Sequence, residues 1–238
     1  MPVFLTPIVD LPRRIKEGDD LGALIKARVD IRAGDAVIIA STLVSKAEGR
    51  RVRLQDITPS FRATQLAEQV EKDPRMVHLV LQESQSVSRS KPGLLITKHR
   101  LGFISANAAI NRSNAGGDVL LLPTDPDASA RRIANTLGCA VVISDSFGRP
   151  FRKGTTGAAI GVAGMEALLD LRGKRDLDGR PLESTRVARA DQLAAAAELC
   201  MGQADEGIGA VLISGLDIPF GHGTAQDLLR VAEEDVYA

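Results

Sequence analysis

Tryptophan is absent from the 238 residues, and aromatic side chains make up only 3%. That leaves no stacking platform for single-stranded nucleic acid and requires a core of Val, Ile, Leu and Ala. Net charge is absent too, because 30 basic and 30 acidic residues cancel. The chain therefore has no electrostatic footprint for nucleic acid, and no nucleic-acid partner is expected. No apolar run approaches the ~20 residues of a membrane span, so no membrane partner is expected. The opening MPVFLTPIVDLP has no basic stretch followed by a long apolar core. No signal peptide is expected, and the cytoplasm is the expected location.

Cysteine and histidine are scarce. Cys139 and Cys200 stand far apart in apolar surroundings and read as buried core thiols, with no zinc or disulfide spacing. His78, His99 and His222 are too few for a His-rich metal site. His222, in FGHGTA, is either functional or an ordinary loop residue. The chain contains no GxSxG, CxxC, HExxH, GxGxxG or GxxxxGK[ST], so hydrolase-triad, dinucleotide and P-loop readings have no support.

What remains is an ordinary globular composition, 44% hydrophobic and 25% charged, at a length that suits one large domain or two small ones. Asp19 or Asp20 caps a helix in DDLGALIKARVDI. Asp35 to Arg50 starts as a β-branched strand and turns polar at Ser41. Thr58 to Ser84 is helical, with Thr58-Pro59 at the helix start. Pro92 to Ala108 reads as a hairpin, and Val119 to Pro123 as a short buried strand. Asp125 to Gly138 has helix start and stop signals. Cys139 to Ser146 is a strand ending in polar residues, followed by a Gly-rich basic stretch, Phe147 to Met165. A helix from Ala190 with Gly202 after it, a buried strand in GAVLISGLDI and a final helix from Thr224 complete the chain. Strands and helices mix without strict alternation. The expected fold is α+β, a mixed β-sheet with packed helices, in a single domain over 1–238 that has room for a smaller lobe.

Three constellations carry chemistry. In STLVSKAEGR a buried strand delivers Ser41 and Thr42 to its end, with Lys46 shortly after. A lysine with hydroxyls binds phosphate, although a solvated turn has the same composition. In VVISDSFGRPFRKG a second buried strand ends at Asp145-Ser146, the oxygen donors that Mg²⁺ or Mn²⁺ prefers, with Arg149, Arg152 and Lys153 following. The alternative is an Asp capping a turn. In MGQADEGIG a helix runs into Gly202 and a polar loop, which suits either a nucleotide contact or a helix cap and turn.

Together these blocks resemble the coenzyme F420-0:γ-glutamyl ligase family. The resemblance covers essentially the whole chain. It runs through PIVDLPRRIKEGDDL, STLVSKAEGR, NAAINRSN, LLLPTDPDASA, SDSFGRPFRKGTTGAAIG, RGKRDLDGRPLE and LCMGQADEGIGAVLISGL. It implies a homodimer that condenses L-glutamate onto the carboxylate of F420-0 using GTP and a divalent metal, Mg²⁺ or Mn²⁺. The acceptor carboxylate would attack the γ-phosphate to give an acyl phosphate and GDP, and the glutamate amine would then displace phosphate. Such a transfer is driven by positioning and charge neutralisation and needs no side-chain nucleophile.

Carried over residue by residue, the resemblance puts Val9, Asp10, Leu11 and Pro12, with Ser41, Thr42, Lys46 and Asn114, in the nucleotide site. The loop Met201, Gly202, Gln203, Ala204, Asp205, Glu206, Gly207 and Ile208 joins them. Asp145 and Ser146 fall where the family has a metal-binding Asp-Thr pair. The family's NAGIDxSN loop has a metal-ligating Asp where this chain has Asn111, and a Gly where it has Ala109. An acid commonly follows MG where this chain has Gln203. Both amides still offer a carbonyl oxygen to a metal, but not charge. Asp145 is then the one anionic ligand these positions name, with Asp205 or Glu206 in reserve. Two other readings stay open: a γ-glutamyl ligase for another acceptor, such as a folate or pterin, and a catalytically silent nucleotide-binding paralogue.

Overall fold

The computed structural model describes residues 2–112 and 117–235. In chain order the strands are β1 (Phe4–Pro7), β2 (Ala36–Ala40), β3 (Arg51–Val52), β4 (Ser84–Lys91), β5 (Leu94–His99), β6 (Ile104–Ala106), β7 (Val119–Leu120), β8 (Ala140–Arg149), β9 (Arg152–Ala163), β10 (Leu168–Asp170), β11 (Arg186–Ala188) and β12 (Ala210–Ser214). The helices are α1 (Leu21–Lys26), α2 (Ser41–Ala47), α3 (Phe61–Val70), α4 (Pro74–Gln82), α5 (Pro126–Leu137) and α6 (Arg189–Met201). The fold is α+β, as the mixture of patterns implies.

The principal sheet has five strands in the order β1-β12-β2-β8-β9. Only the β2–β8 pair is parallel; the other neighbours are antiparallel. β2 (AVIIA) and the first half of β8 (AVVI) are apolar on both faces because helices cover both. On one face α1 and α5 pack over Val37, Ile39, Val141 and Ile143. On the other, Ala190, Leu193, Ala194 and Ala197 of α6 cover Ile38, Val142 and Val162. A third apolar cluster lies apart from this sheet. It joins α3 and α4 to the three-stranded sheet β4-β5-β6 through Val70, Val77, Val80 and Leu95.

Helix starts follow local chemistry. Asp20, Ser60, Asp73 and Asp125 each accept a backbone N–H from the first turn of the helix that follows, satisfying a donor that would otherwise have no partner. The start expected at Thr58-Pro59 lies two residues early. Ser60 is the cap of α3, and the proline that opens a helix is Pro74.

Four other expectations change. Phe147 to Met165 is mostly strand: β8 runs on to Arg149 and pairs with the long β9. Asp145-Ser146 therefore lies inside a strand and not at its end. Its placement comes from an irregularity between Ile143 and Ser144, which re-aims the side chains beyond it. The final helix from Thr224 is replaced, over the described residues, by short 3₁₀ turns at Ala225–Leu228 and Ala232–Glu234. The Thr224–Asp227 capping box closes one turn, after which Leu229 goes extended and its side chain packs against Gly102. Cys139 is buried as expected, but Cys200 is half-buried on α6.

Candidate functional site

β2 and β8 run parallel and side by side, with Ala40 opposite Ser144. Just beyond the last buried residues of β2 the chain turns into α2, so Ser41 opens a helix and does not sit on a loose turn. Its hydroxyl donates to Asp145 Oδ1 at 2.8 Å. A cleft of about 1710 Å³ opens here, larger than the usual span of small-molecule pockets. Asp10, Leu11 and Pro12, then Ser41, Thr42 and Lys46, then Asn111, Asp145 and Ser146 all lie on its wall. So does the whole loop Met201–Gly209. Of the residues expected at the site, Val9 is 59% exposed and is not on this wall. Asn114 lies outside the described residues.

Among the wall residues not expected from the sequence, Glu198 is the one that offers a carboxylate. Glu198, three residues before the end of α6, faces Ser146, whose hydroxyl donates to Glu198 Oε1. Gln203 Nε2 donates to the same Oε1 at 3.0 Å and to Ser146 Oγ at 2.8 Å. Burial pushes the Asp145 carboxyl up to about 6. The Ser41 hydroxyl and the Ser146 backbone N–H pull it down, and the charge of Glu198 raises it further. Asp205 and Glu206 are exposed on the cleft. Glu206 turns back to accept the N–H of Ala204 at 2.9 Å, and backbone N–H donors hold its carboxyl below the usual range. That fold-back needs Gly202, where a Cβ would stand 2.0 Å from the Glu206 carboxyl carbon.

The loop expected to carry a metal ligand is strained. Asn107, Ala108 and Ala109 all have φ of 51–53°, a left-handed conformation that costs a non-glycine residue ~1–2 kcal/mol. Ala109, where the resemblance implies glycine, is one of them. Asn111 then pairs its backbone with Leu120, which places its side chain on the cleft wall.

The donors around Asp145 fit a hard divalent cation. They are oxygens: the Asp145 and Glu198 carboxylates and the Ser146 and Ser41 hydroxyls, with the amide of Gln203, whose Nε2 is turned to Glu198, beside them and that of Asn111 on the same cleft lining. No group of three or more His, Cys, Asp or Glu side chains arranged to hold a metal ion occurs among the described residues, so neutral oxygens would complete the set. Neither carboxylate forms an ion pair among the described residues. A cation beside them would offset the burial, and then the Glu198 charge, that raise Asp145. Lys46 supplies the opposite charge farther along α2. Burial, and then Arg51, lower its pKa.

No helix among the described residues is long and apolar enough to cross a membrane. The family described as F420-0:Gamma-glutamyl ligase matches residues 11–215. A coenzyme F420:L-glutamate ligase of Methanothermobacter thermautotrophicus is 47% identical, with 100% of this chain and 99% of that protein aligned. Proteins of the same name from Methanopyrus kandleri and Archaeoglobus fulgidus are each 44% identical, over 100% and 99% of this chain and 98% and 96% of theirs.

Proposed function

The chain belongs to the F420-0:gamma-glutamyl ligase family and is an amide-bond-forming ligase, and we propose that its cleft joins L-glutamate to the carboxylate of coenzyme F420-0, driven by GTP. The observation that carries this reading is the meeting of the Asp145–Glu198 carboxylate pair with Lys46 on one cleft wall. An anionic pair that suits a divalent cation and a lysine that suits phosphate are the parts a phosphoryl transfer needs. Mg²⁺ or Mn²⁺ would be held by Asp145, Ser146, Glu198, Gln203 and Asn111, and would neutralise phosphate charge.

The chain's own groups do the positioning. Ser41 orients Asp145 through its hydrogen bond. Gln203 and Ser146 both donate to one oxygen of the Glu198 carboxylate and hold it in place. Lys46 and the 201–208 loop bind the nucleotide, with Asp10 to Pro12 on the same cleft lining. An acceptor carboxylate oxygen attacks the γ-phosphorus and GDP departs. The glutamate amine then attacks the acyl carbon, phosphate leaves, and the amine proton is lost. No protein nucleophile enters either step.

The reading as a silent paralogue rests on lost charge at Asn111 and Gln203. Glu198, hydrogen-bonded to Gln203, restores a carboxylate beside that position and favours an active enzyme. A homodimer in the cytoplasm completes the proposal. Phe151 and Leu177 are 92% and 107% exposed on the β8–β9 and β10–β11 connections, apolar surface that self-association would cover. The test is Asp145→Ala, which is expected to abolish GTP-dependent formation of the glutamylated product by mass spectrometry. Turnover retained at wild-type rate overturns the site.

A further inference from the structure

Next to the cleft lies a smaller cavity of about 320 Å³. Ile15, Lys16, Lys46 and Arg51 line both spaces, so the two are neighbours across a shared wall. Its charged lining is Lys16, Lys46, Arg51 and Arg53 against Glu17 and Asp118. Arg51 stands 3.6 Å from Asp118. The side chains of Lys16, Lys46 and Arg53 have no hydrogen bond or ion pair among the described residues. Lys46 is half-buried beside Arg51 with no counter-charge of its own. Cations that crowd a concave surface without partners are matched to an anion that is not part of the chain. Gly49, at φ 66°, makes room for Glu17. A Cβ there would lie 2.5–2.8 Å from the Glu17 carboxyl group, so only glycine leaves Glu17 its place in the lining.

The mixture of signs is informative. A polyphosphate is matched by cations alone, whereas Glu17 and Asp118 repel it. An amino acid with two carboxylates and one ammonium needs several cations and at least one carboxylate. Arg51 and Arg53 carry planar guanidinium forks that suit carboxylates. We infer that this side cavity is the subsite for the incoming L-glutamate, with its two carboxylates on Arg53, Lys16 and Arg51 and its amine held by Glu17 or Asp118 toward the cleft. The inference rests on the ligase reading above and adds to it the place of the amino acid.

Arg53→Gln tests it, with Lys16→Met as a second variant. Both positions are exposed, so the fold should be retained. In the ligase assay each variant is expected to raise the KM for L-glutamate roughly tenfold to a hundredfold, as the loss of one charge-assisted hydrogen bond implies. The KM values for GTP and for F420-0 should stay within about twofold. An increase confined to GTP would assign the cavity to the triphosphate and overturn the inference. An increase confined to an acceptor that already bears a glutamyl tail would assign it to the product chain and overturn it equally. Calorimetric titration of L-glutamate into the full chain, with a non-hydrolysable GTP analogue present, separates the two claims. Glutamate binding that Arg53→Gln weakens, with no turnover of F420-0, supports the subsite and sinks the ligase reading. Turnover with an unchanged KM for glutamate supports the ligase reading and sinks the subsite.

Discussion

Two glycines of β9 separate what the fold requires from what the site requires. Gly157 pairs across the sheet with Ser146, and a Cβ there would stand 2.4 Å from the Ala194 carbonyl oxygen of α6. Gly161 pairs with Ile143, and its Cβ would stand 2.5 Å from the Pro126 carbonyl oxygen of α5. Ordinary contacts lie near 3.5 Å, so alanine at either position must push a helix backbone outward by about 1 Å. Overpacking of this kind costs ~1–3 kcal/mol, or roughly 2–12 °C in Tm for a chain of this length. The stability cost should therefore be similar for both. The functional cost should not be. Ala194 lies one turn before Glu198 on the same face of α6, so Gly157→Ala moves Glu198 relative to Ser146. No residue of α5 lines the cleft. Displacing a positioned group by about 1 Å costs ~100-fold in turnover. Gly157→Ala is expected to lose that much kcat and to bind Mn²⁺ more weakly. Gly161→Ala should stay within about threefold on both measures. Calorimetric Tm, Mn²⁺ titration and steady-state kinetics on the two variants decide it. Equal losses of turnover, or a Gly157→Ala protein with wild-type Mn²⁺ affinity and kcat, would refute the coupling of β9 packing to the site.

Glu198→Gln removes one of two anionic donors and is expected to weaken Mn²⁺ binding by roughly tenfold or more; unchanged affinity by titration would remove Glu198 from the site. Ala109→Gly relieves one left-handed alanine and should stabilise the protein by about 1 kcal/mol, less what the added glycine freedom costs in the unfolded chain; a lower Tm would contradict the strain argument. Glu83 supplies the pH dependence. Burial raises its carboxyl, but His99 and Arg100, with the charge of Arg50, outweigh that and hold it at about 2, against an ordinary 4.5. The His99 contact, at 3.6 Å, is electrostatic and not a formed hydrogen bond, whereas those of Arg50 and Arg100 are 3.0 Å each. Because the folded pKa is depressed, this stability is fully present above about 4.5 and is lost as pH falls toward 2. At about 1.4 kcal/mol per pH unit, reduced for the partly exposed arginines, Glu83→Gln should cost about 2 kcal/mol at pH 7. The urea-unfolding difference from wild type should shrink on acidification. A difference that does not change with pH would contradict it.

How far the sequence carried depended on whether a feature was local. The run AVIIAST located β2 and delivered Ser41 because a doubly covered strand reads as an unbroken apolar run. Asp125, Pro126 and Gly138 marked both ends of α5 by capping chemistry alone. β9 was not legible. Its RKGTTGAAIG has few β-branched residues, and its glycines serve the close approach of α5 and α6, which only the assembled fold shows. Glu198 was hidden for a similar reason. In AELCMG it looks like any acid on a helix, and the packing of α6 on β9 turns it toward Ser146. A signal was present in its spacing, one turn after Ala194 on the buried face and five residues before Gln203. The 3₁₀ turns near the C-terminus looked helical by composition. Gln226, whose side chain reaches the Leu101 carbonyl at 3.0 Å, ties that segment to another part of the chain instead.

The claim that this cleft is a GTP-driven glutamate ligase meets its most direct test in the unaltered protein. F420-0, L-glutamate, GTP and Mn²⁺ are incubated with it, and products are followed by mass spectrometry and nucleotide analysis. The account predicts a glutamylated F420 species with one GDP formed per new amide bond, and none when GTP or the metal is left out. A folded protein that binds GTP yet forms no such product, or that glutamylates a folate-type acceptor instead, would contradict it.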